Sequence, residues 1–273
     1  MTVVARMTGR LLGRGLAGLL ALLLGIVLFQ LIQALVVDSF GGVEGLTSLL
    51  DALPPVLRTL SRTQPEFLAI SGLAGYLSFG FTHPLYLVLA CAAVVGFACR
   101  SLAGEMERGT IQLALSRAVS RPRVYAARVA GLAVIVGAVA IGGPVGLLAG
   151  LAVAQPDGEF VYGHLLPTAA AGGLLFWAIG GLTLFGSAAA STSGRAVAWA
   201  ISALVVMYFV DYFAGIWDVL APLEFLSVFD YYDPAGTLVG GRLPWTDVAV
   251  LAGVGTGGVL GGLVVFGRRD LPT

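Results

Sequence analysis

The chain has 273 residues, 58% of them hydrophobic and only 11% charged, against about 25% charged in soluble globular domains. That composition excludes a soluble globule and points to an integral membrane protein. Its 15 basic and 15 acidic residues cancel, so partners are read from where the charge sits and not from its sum, and no nucleic-acid partner is expected.

A helix of about 20 apolar residues crosses a hydrocarbon core of about 30 Å. Such runs stand at 16–37, 84–102, 124–154, 166–190, 196–216 and 248–266, which predicts an all-α integral membrane protein with six transmembrane helices. Arg6, Arg10 and Arg14 precede the first run like the start of a signal peptide. The run is longer than the roughly 7–15 apolar residues of a cleaved leader, so a retained span is expected. Residues 1–14 put Val3, Val4, Met7 and Leu11 on one side of a helix, with the three arginines recurring along its edge. Two readings stay open: a helix lying in the interface with its arginines at lipid headgroups, or a plain basic anchor.

Basic residues near span ends stay in the cytoplasm. Alternating the six spans puts twelve of the fifteen arginines on one side, including Arg100, Arg108, Arg117, Arg121, Arg123, Arg128, Arg195, Arg268 and Arg269, and leaves Arg58, Arg62 and Arg242 on the other. Both termini are therefore expected in the cytoplasm of a multi-pass plasma-membrane protein. The segment 38–83 falls outside, with short helices at 46–60, interrupted by Pro54 and Pro55, and at 67–81, the latter either on the surface or re-entrant. Gly142, Gly143 and Pro144 predict a kink in the third span. Gly142, Gly146 and Gly150, like Gly253, Gly257 and Gly261, recur every fourth residue and predict close helix approach, within the chain or between subunits. Cys91 and Cys99 lie in one span and read as small apolar residues. One permease domain over 1–273 is the simplest organisation.

Several chemistries are absent from the sequence. There is no lysine, so no phosphate-binding loop ending in Gly-Lys-Ser/Thr exists. His83 and His164 fall near outer span ends and have no carboxylate cluster at metal-ligand spacing, while Ser187, Ser191 and Ser193 sit across the membrane from His164. Asp211 lies near the outer end of the fifth span beside Tyr208 and Tyr212, and no charge stands at the midplane to mark an ion pathway. A non-catalytic subunit without its own cofactor is expected.

The dense charge is one polar stretch at 104–128 between the second and third spans. On a helical wheel Glu105, Arg108, Gln112 and Ser116 share a stripe, with Gly109 beside it and Met106, Ile111, Leu113, Ala114 and Leu115 elsewhere. That predicts a short cytoplasmic helix with a charged docking face, bent at Gly109-Thr110. Ser120 is the expected N-cap of the third span, with Pro122 tolerated in its first turn. The rule that arginines stay inside accounts for Arg121, Arg123 and Arg128, but not for Glu105 and Glu107.

The run Gly104-Glu105-Met106-Glu107-Arg108-Gly109-Thr110, followed by Leu113, Leu115 and Val119-Ser120-Arg121, resembles the hallmark loop of the type 2 ATP-binding-cassette (ABC) permease family. Phe266-Gly267-Arg268-Arg269-Asp270 and Tyr232-Asp233-Pro234 are similar to that family too, whereas Ala118 stands where it usually has proline and Arg128 where it usually has lysine. The resemblance implies an exporter permease that pairs with a second six-span subunit, the same chain or a related one, and with two copies of a cytoplasmic ABC ATPase carrying the ATP and magnesium. It makes 104–121 the coupling loop, with a coupling helix between spans 2 and 3. The coupling residues it implies are Glu105, Glu107, Arg108, Gly109, Thr110 and Gln112, with Ser120 and Arg121 opening the next helix. A substrate route along the subunit interface follows, and the lack of charge within the spans favours an apolar or amphipathic substrate. Membrane lipid is the remaining partner. A receptor that recruits a cytoplasmic ATPase, and a secondary transporter, are the competing classes.

Overall fold

A computed structural model describes residues 3–39, 65–111 and 119–269, with positions 42, 45, 48 and 52 between the first two stretches. Most of the outer helix expected at 46–60 lies outside the described residues, as do Gln112 and the positions to Ala118. No strand occurs among the described residues. The helices in chain order are α1 (Val3–Gly13), α2 (Leu16–Ser39), α3 (Pro65–Thr82), α4 (Pro84–Ser101), α5 (Ala103–Glu107), α6 (Arg121–Ala154), α7 (Leu165–Ala189), α8 (Ser193–Ala214), α9 (Pro234–Gly240) and α10 (Trp245–Arg268). Six of them, α2, α4, α6, α7, α8 and α10, are long and apolar enough to cross a membrane, and the chain is a multi-pass membrane protein.

Apolar runs make helices here because lipid offers no partner for backbone N–H and C=O groups, which must then bond within the segment. Helix ends are finished by local chemistry. His83 starts α4, its Nδ1 accepting from the Leu85 N–H at 3.1 Å, and Pro84 follows in the first turn. Thr192 starts α8 by accepting from Arg195 N–H at 3.4 Å, and Asp233 starts α9 by accepting from Gly236 N–H at 2.8 Å.

Glycine decides which spans approach most closely. Helix α2 crosses α6 where a Cβ on Gly150 would stand 2.6 Å from the Leu31 carbonyl oxygen and one on Gly146 would overlap that of Val27. The stripe expected at 142, 146 and 150 thus packs within the chain. In α10 the packed stripe is another one. Of the expected stripe, Gly253 and Gly257 have nothing within 4 Å of a built Cβ and Gly261 meets the Phe185 side chain of α7, whereas Gly255 and Gly258 lie against Gly181 of α7, backbone to backbone, and Gly262 meets Tyr125. Spacing alone leaves two glycine stripes on α10, and only contact with α7 selects between them.

Helix α6 runs through Pro144 as one assigned helix of 34 residues. The proline removes one backbone bond, but Gly142, Gly146 and Gly150 seat this stretch against α2 on either side of it. Helix α3 breaks at Gly72, whose φ of 54° and ψ of −139° favour glycine. Beyond that break α3 is not a surface element: Leu73, Leu77 and Phe81 are buried, and Phe81 meets the Tyr86 ring edge-on at 5.5 Å. Cys91 and Cys99 are unpaired, and Cys99 is buried among apolar neighbours. Helix α8 is the least covered span, burying only Ala196, Ala200 and Ala214.

Candidate functional site

The polar stretch after the second span folds first as α5, five residues that end at Glu107. Arg108 follows with its N–H bonded to the Gly104 carbonyl, and Gly109 turns the chain with φ of 68°, so the expected bend is present. Thr110 and Ile111 are helical again, and the Thr110 hydroxyl donates to the Glu105 carbonyl at 3.3 Å.

Glu105 does not lie on an exposed docking face. Its side chain is buried and turned inward, Oε1 accepting from Arg14 at 2.9 Å and Oε2 paired with the Arg128 guanidinium. Arg128 is 1% exposed and heads the fully buried side chains by volume among the described residues. It also donates to the Ser101 carbonyl at 3.2 Å and the Val124 carbonyl at 2.6 Å. Arg128, which the rule that arginines stay inside accounts for by topology alone, is thus the buried partner of Glu105. A wheel drawn across 105–116 assumes one continuous helix, and the Gly109 turn ends that phase after α5.

Glu107 points the other way and is exposed. Its Oε2 accepts from Ser193 N–H at 3.0 Å and from Ser193 Oγ at 2.6 Å. A carboxylate on the first amide of α8 satisfies an orphan donor and meets the positive end of that helix. The Ala103 N–H donates to Ser187 Oγ of α7 at 3.0 Å, and that hydroxyl donates to the Ala98 carbonyl of α4 at 3.1 Å. One five-residue helix is thus tied to the α1–α2 junction, α6, α7 and α8, and is continuous with α4.

Arg108 is exposed and lies over Gly104, where a built Cβ would stand 3.4 Å from its guanidinium. Ser120 occupies the N-cap position of α6, its carbonyl accepting from Val124 N–H at 3.1 Å, but its hydroxyl makes no capping bond. Arg121 reaches the end of α10, donating to the carbonyls of Gly267 at 3.1 Å and Arg269 at 2.7 Å. Arg269 in turn donates to the Ala188 and Ala190 carbonyls at the end of α7, both at 2.7 Å. Cations on orphan carbonyls at helix C-termini complement the dipole. The arginine-rich ends of the spans are therefore knitted together at one end of the bundle, around α5.

Sequence reasoning missed Arg14, Ser187 and Ser193 as partners of α5. Nothing local marks them. Arg128 did carry a signal, being an ionisable residue inside an apolar run.

At the opposite end, Asp211, Glu224 and Asp230 bring carboxylate oxygens within 4.8 Å of one another, a grouping that no sequence spacing shows. Partial burial and the neighbouring carboxylates, Glu224 first, push the Asp230 carboxyl above its ordinary value. Between α4 and α8 runs a cavity of about 480 Å³ with no charged group in its lining, walled by Leu87, Val88, Cys91, Leu204, Tyr208 and Phe209 among others.

Comparison with curated proteins finds no match. The family model for ABC-2 family transporter protein matches residues 62–271, which include α5 and five of the six span helices. The chain belongs to the ABC-2 family of transporter proteins.

Proposed function

We propose that this permease is the membrane subunit of an ATP-driven exporter and that α5 with residues 108–111 is its coupling element. Family membership implies an ABC ATPase partner, and the ATP and magnesium chemistry belongs to that partner. The two ATPase copies, the second permease subunit, identical or related, and the cytoplasmic placement of both termini are part of the same reading. The positive-inside distribution of arginines supports that orientation.

The observation that carries the reading is the bonding of α5 itself. Glu105 grips α6 and the α1–α2 junction, Glu107 grips the first turn of α8, and Ala103 grips α7. A displacement of α5 cannot remain local, because it loads four other parts of the bundle through short polar bonds. Exposed Arg108, on the turn that closes α5, is the side chain positioned to meet a partner, while Glu105 acts behind it as a structural strut. Gly109 sets the turn, Thr110 ties it back to Glu105, and Ser120 with Arg121 anchors the following helix to α10.

The uncharged cavity between α4 and α8 supports an apolar or amphipathic substrate, since such a wall supplies contact area and few fixed polar anchors. The test is affinity purification from the native host followed by reconstitution. An ATPase should co-purify, and ATP should drive efflux of an apolar dye from vesicles. Transport that survives ATP depletion and collapses with an ion gradient would refute the proposal.

A further inference from the structure

Beside α5, between α1 and the start of α6, lies a second cavity of about 420 Å³. Arg6, Arg10 and Arg14 line it from one helix face, and Arg128 with Glu105 closes its inner end. Four guanidinium groups thus face one carboxylate. That carboxylate is fully engaged, one oxygen with Arg14 and the other with Arg128. Arg6 and Arg10 are exposed and make no ion pair among the described residues. Like charges four residues apart on a helix repel, so the row as it stands is short of negative charge.

The row is also held in place. The Thr8 hydroxyl reaches the Ala127 carbonyl of α6 at 3.1 Å and is buried there, which seats α1 across the cavity and not free in solvent. Val3, Met7 and Leu11 line the same cavity between the arginines. Arg14 of its lining stands two residues before α2 begins at Leu16, and Val119 two residues before α6 begins at Arg121, where two spans start. A ligand that satisfies all three features carries an anionic phosphate for the arginines and a hydrocarbon portion for the apolar wall.

We propose that this cavity binds the phosphate headgroup of an anionic lipid, with Arg6 and Arg10 as its main contacts and the unpaired donors of Arg14 completing the clamp. Bound there, the lipid pins α1 to α6. Through Arg14 it also touches the Glu105 strut, so lipid occupancy and the position of α5 are linked. The site stands on its own geometry, whichever partner α5 engages.

The test uses the purified full chain, with whatever subunits accompany it, in nanodiscs of phosphatidylcholine with or without phosphatidylglycerol. Retained lipid is read by native mass spectrometry and amide exchange is followed over residues 3–14. Wild type should retain phosphatidylglycerol and show slower exchange in α1 only when that lipid is present. The variant R6Q/R10Q should bind it about 30-fold more weakly, the effect of removing two basic residues from an anionic surface. R242Q, which removes one positive charge outside this cavity, should bind like wild type. Soluble glycerol phosphate should not reproduce the protection. Equal retention of the two lipids by wild type, or undiminished binding in R6Q/R10Q, would overturn the proposal. Full protection by glycerol phosphate alone would overturn the lipid assignment in favour of a free anion. The wild-type comparisons hold even where a variant does not fold.

Discussion

Replacing Glu105 by alanine would leave the Arg128 guanidinium buried with no counter-charge, and the size of the effect follows from what remains around it. Removing one partner of a buried ion pair costs about 3–5 kcal/mol, because the other charge stays desolvated. Arg128 keeps the Ser101 and Val124 carbonyls at 3.2 and 2.6 Å, which places the expected loss at the lower end. The Arg14 arm adds little, its side chain being 60% exposed, and an exposed pair contributes no more than about 1 kcal/mol. The expectation for Glu105→Ala is therefore about 3 kcal/mol, roughly 150-fold in the folded-to-unfolded ratio. The assay is equilibrium unfolding in mixed detergent micelles, run as a double-mutant cycle with Arg128→Met. The double variant should recover most of the loss, since an apolar pair of similar volume replaces a buried ion pair at little or no net cost. A Glu105→Ala protein within about 0.5 kcal/mol of wild type, or losses that simply add across the cycle, would refute the strut.

Other perturbations separate contacts that look alike in sequence. Gly258→Ala should destabilise by about 1–3 kcal/mol because its Cβ would press on the Gly181 backbone, while Gly257→Ala, facing open space, should be neutral or slightly stabilising; thermal unfolding of the matched pair reads the difference. Gln30 is fully buried with neither amide atom bonded among the described residues, so Gln30→Met should stabilise by about 1–3 kcal/mol in the same assay. The Asp230 carboxyl is raised by burial and by Glu224, Asp211 and Asp247, and a raised carboxyl pKa means that ionisation opposes folding. The Asp230 contribution should therefore become more favourable as pH falls from neutral into the carboxylate range, and comparison of Asp230→Asn with wild type in melting profiles should isolate that slope.

The six spans were legible because each rests on a one-dimensional quantity, the length of an apolar run, and the run at 16–37 matches its observed span residue for residue. The start of α6 after Ser120, with Pro122 in its first turn, was legible locally although the Ser120 hydroxyl makes no capping bond, and the Gly109 turn was legible from glycine itself. The inward orientation of Glu105 was not, because it depends on Arg128, 23 residues on, and Arg14, 91 residues back. Composition could not separate an arginine at a headgroup from one sealed against a carboxylate. Glu107 met the same limit, since its partner Ser193 lies 86 residues away. Choosing between the two glycine stripes of α10 likewise required knowing that α7 is its neighbour. Pairwise packing carries this information, and periodicity along one helix does not.

The central claim is that the turn closing α5 meets the ATPase. A photo-crosslinking residue placed at Arg108 tests it directly, because Arg108 is exposed and its replacement leaves the Glu105 strut in place. The same residue at exposed Arg242 serves as the control. Crosslinking in the native host should yield an ABC ATPase adduct from position 108 and none from position 242. An ATPase adduct absent at position 108, or formed equally at both, would contradict the account.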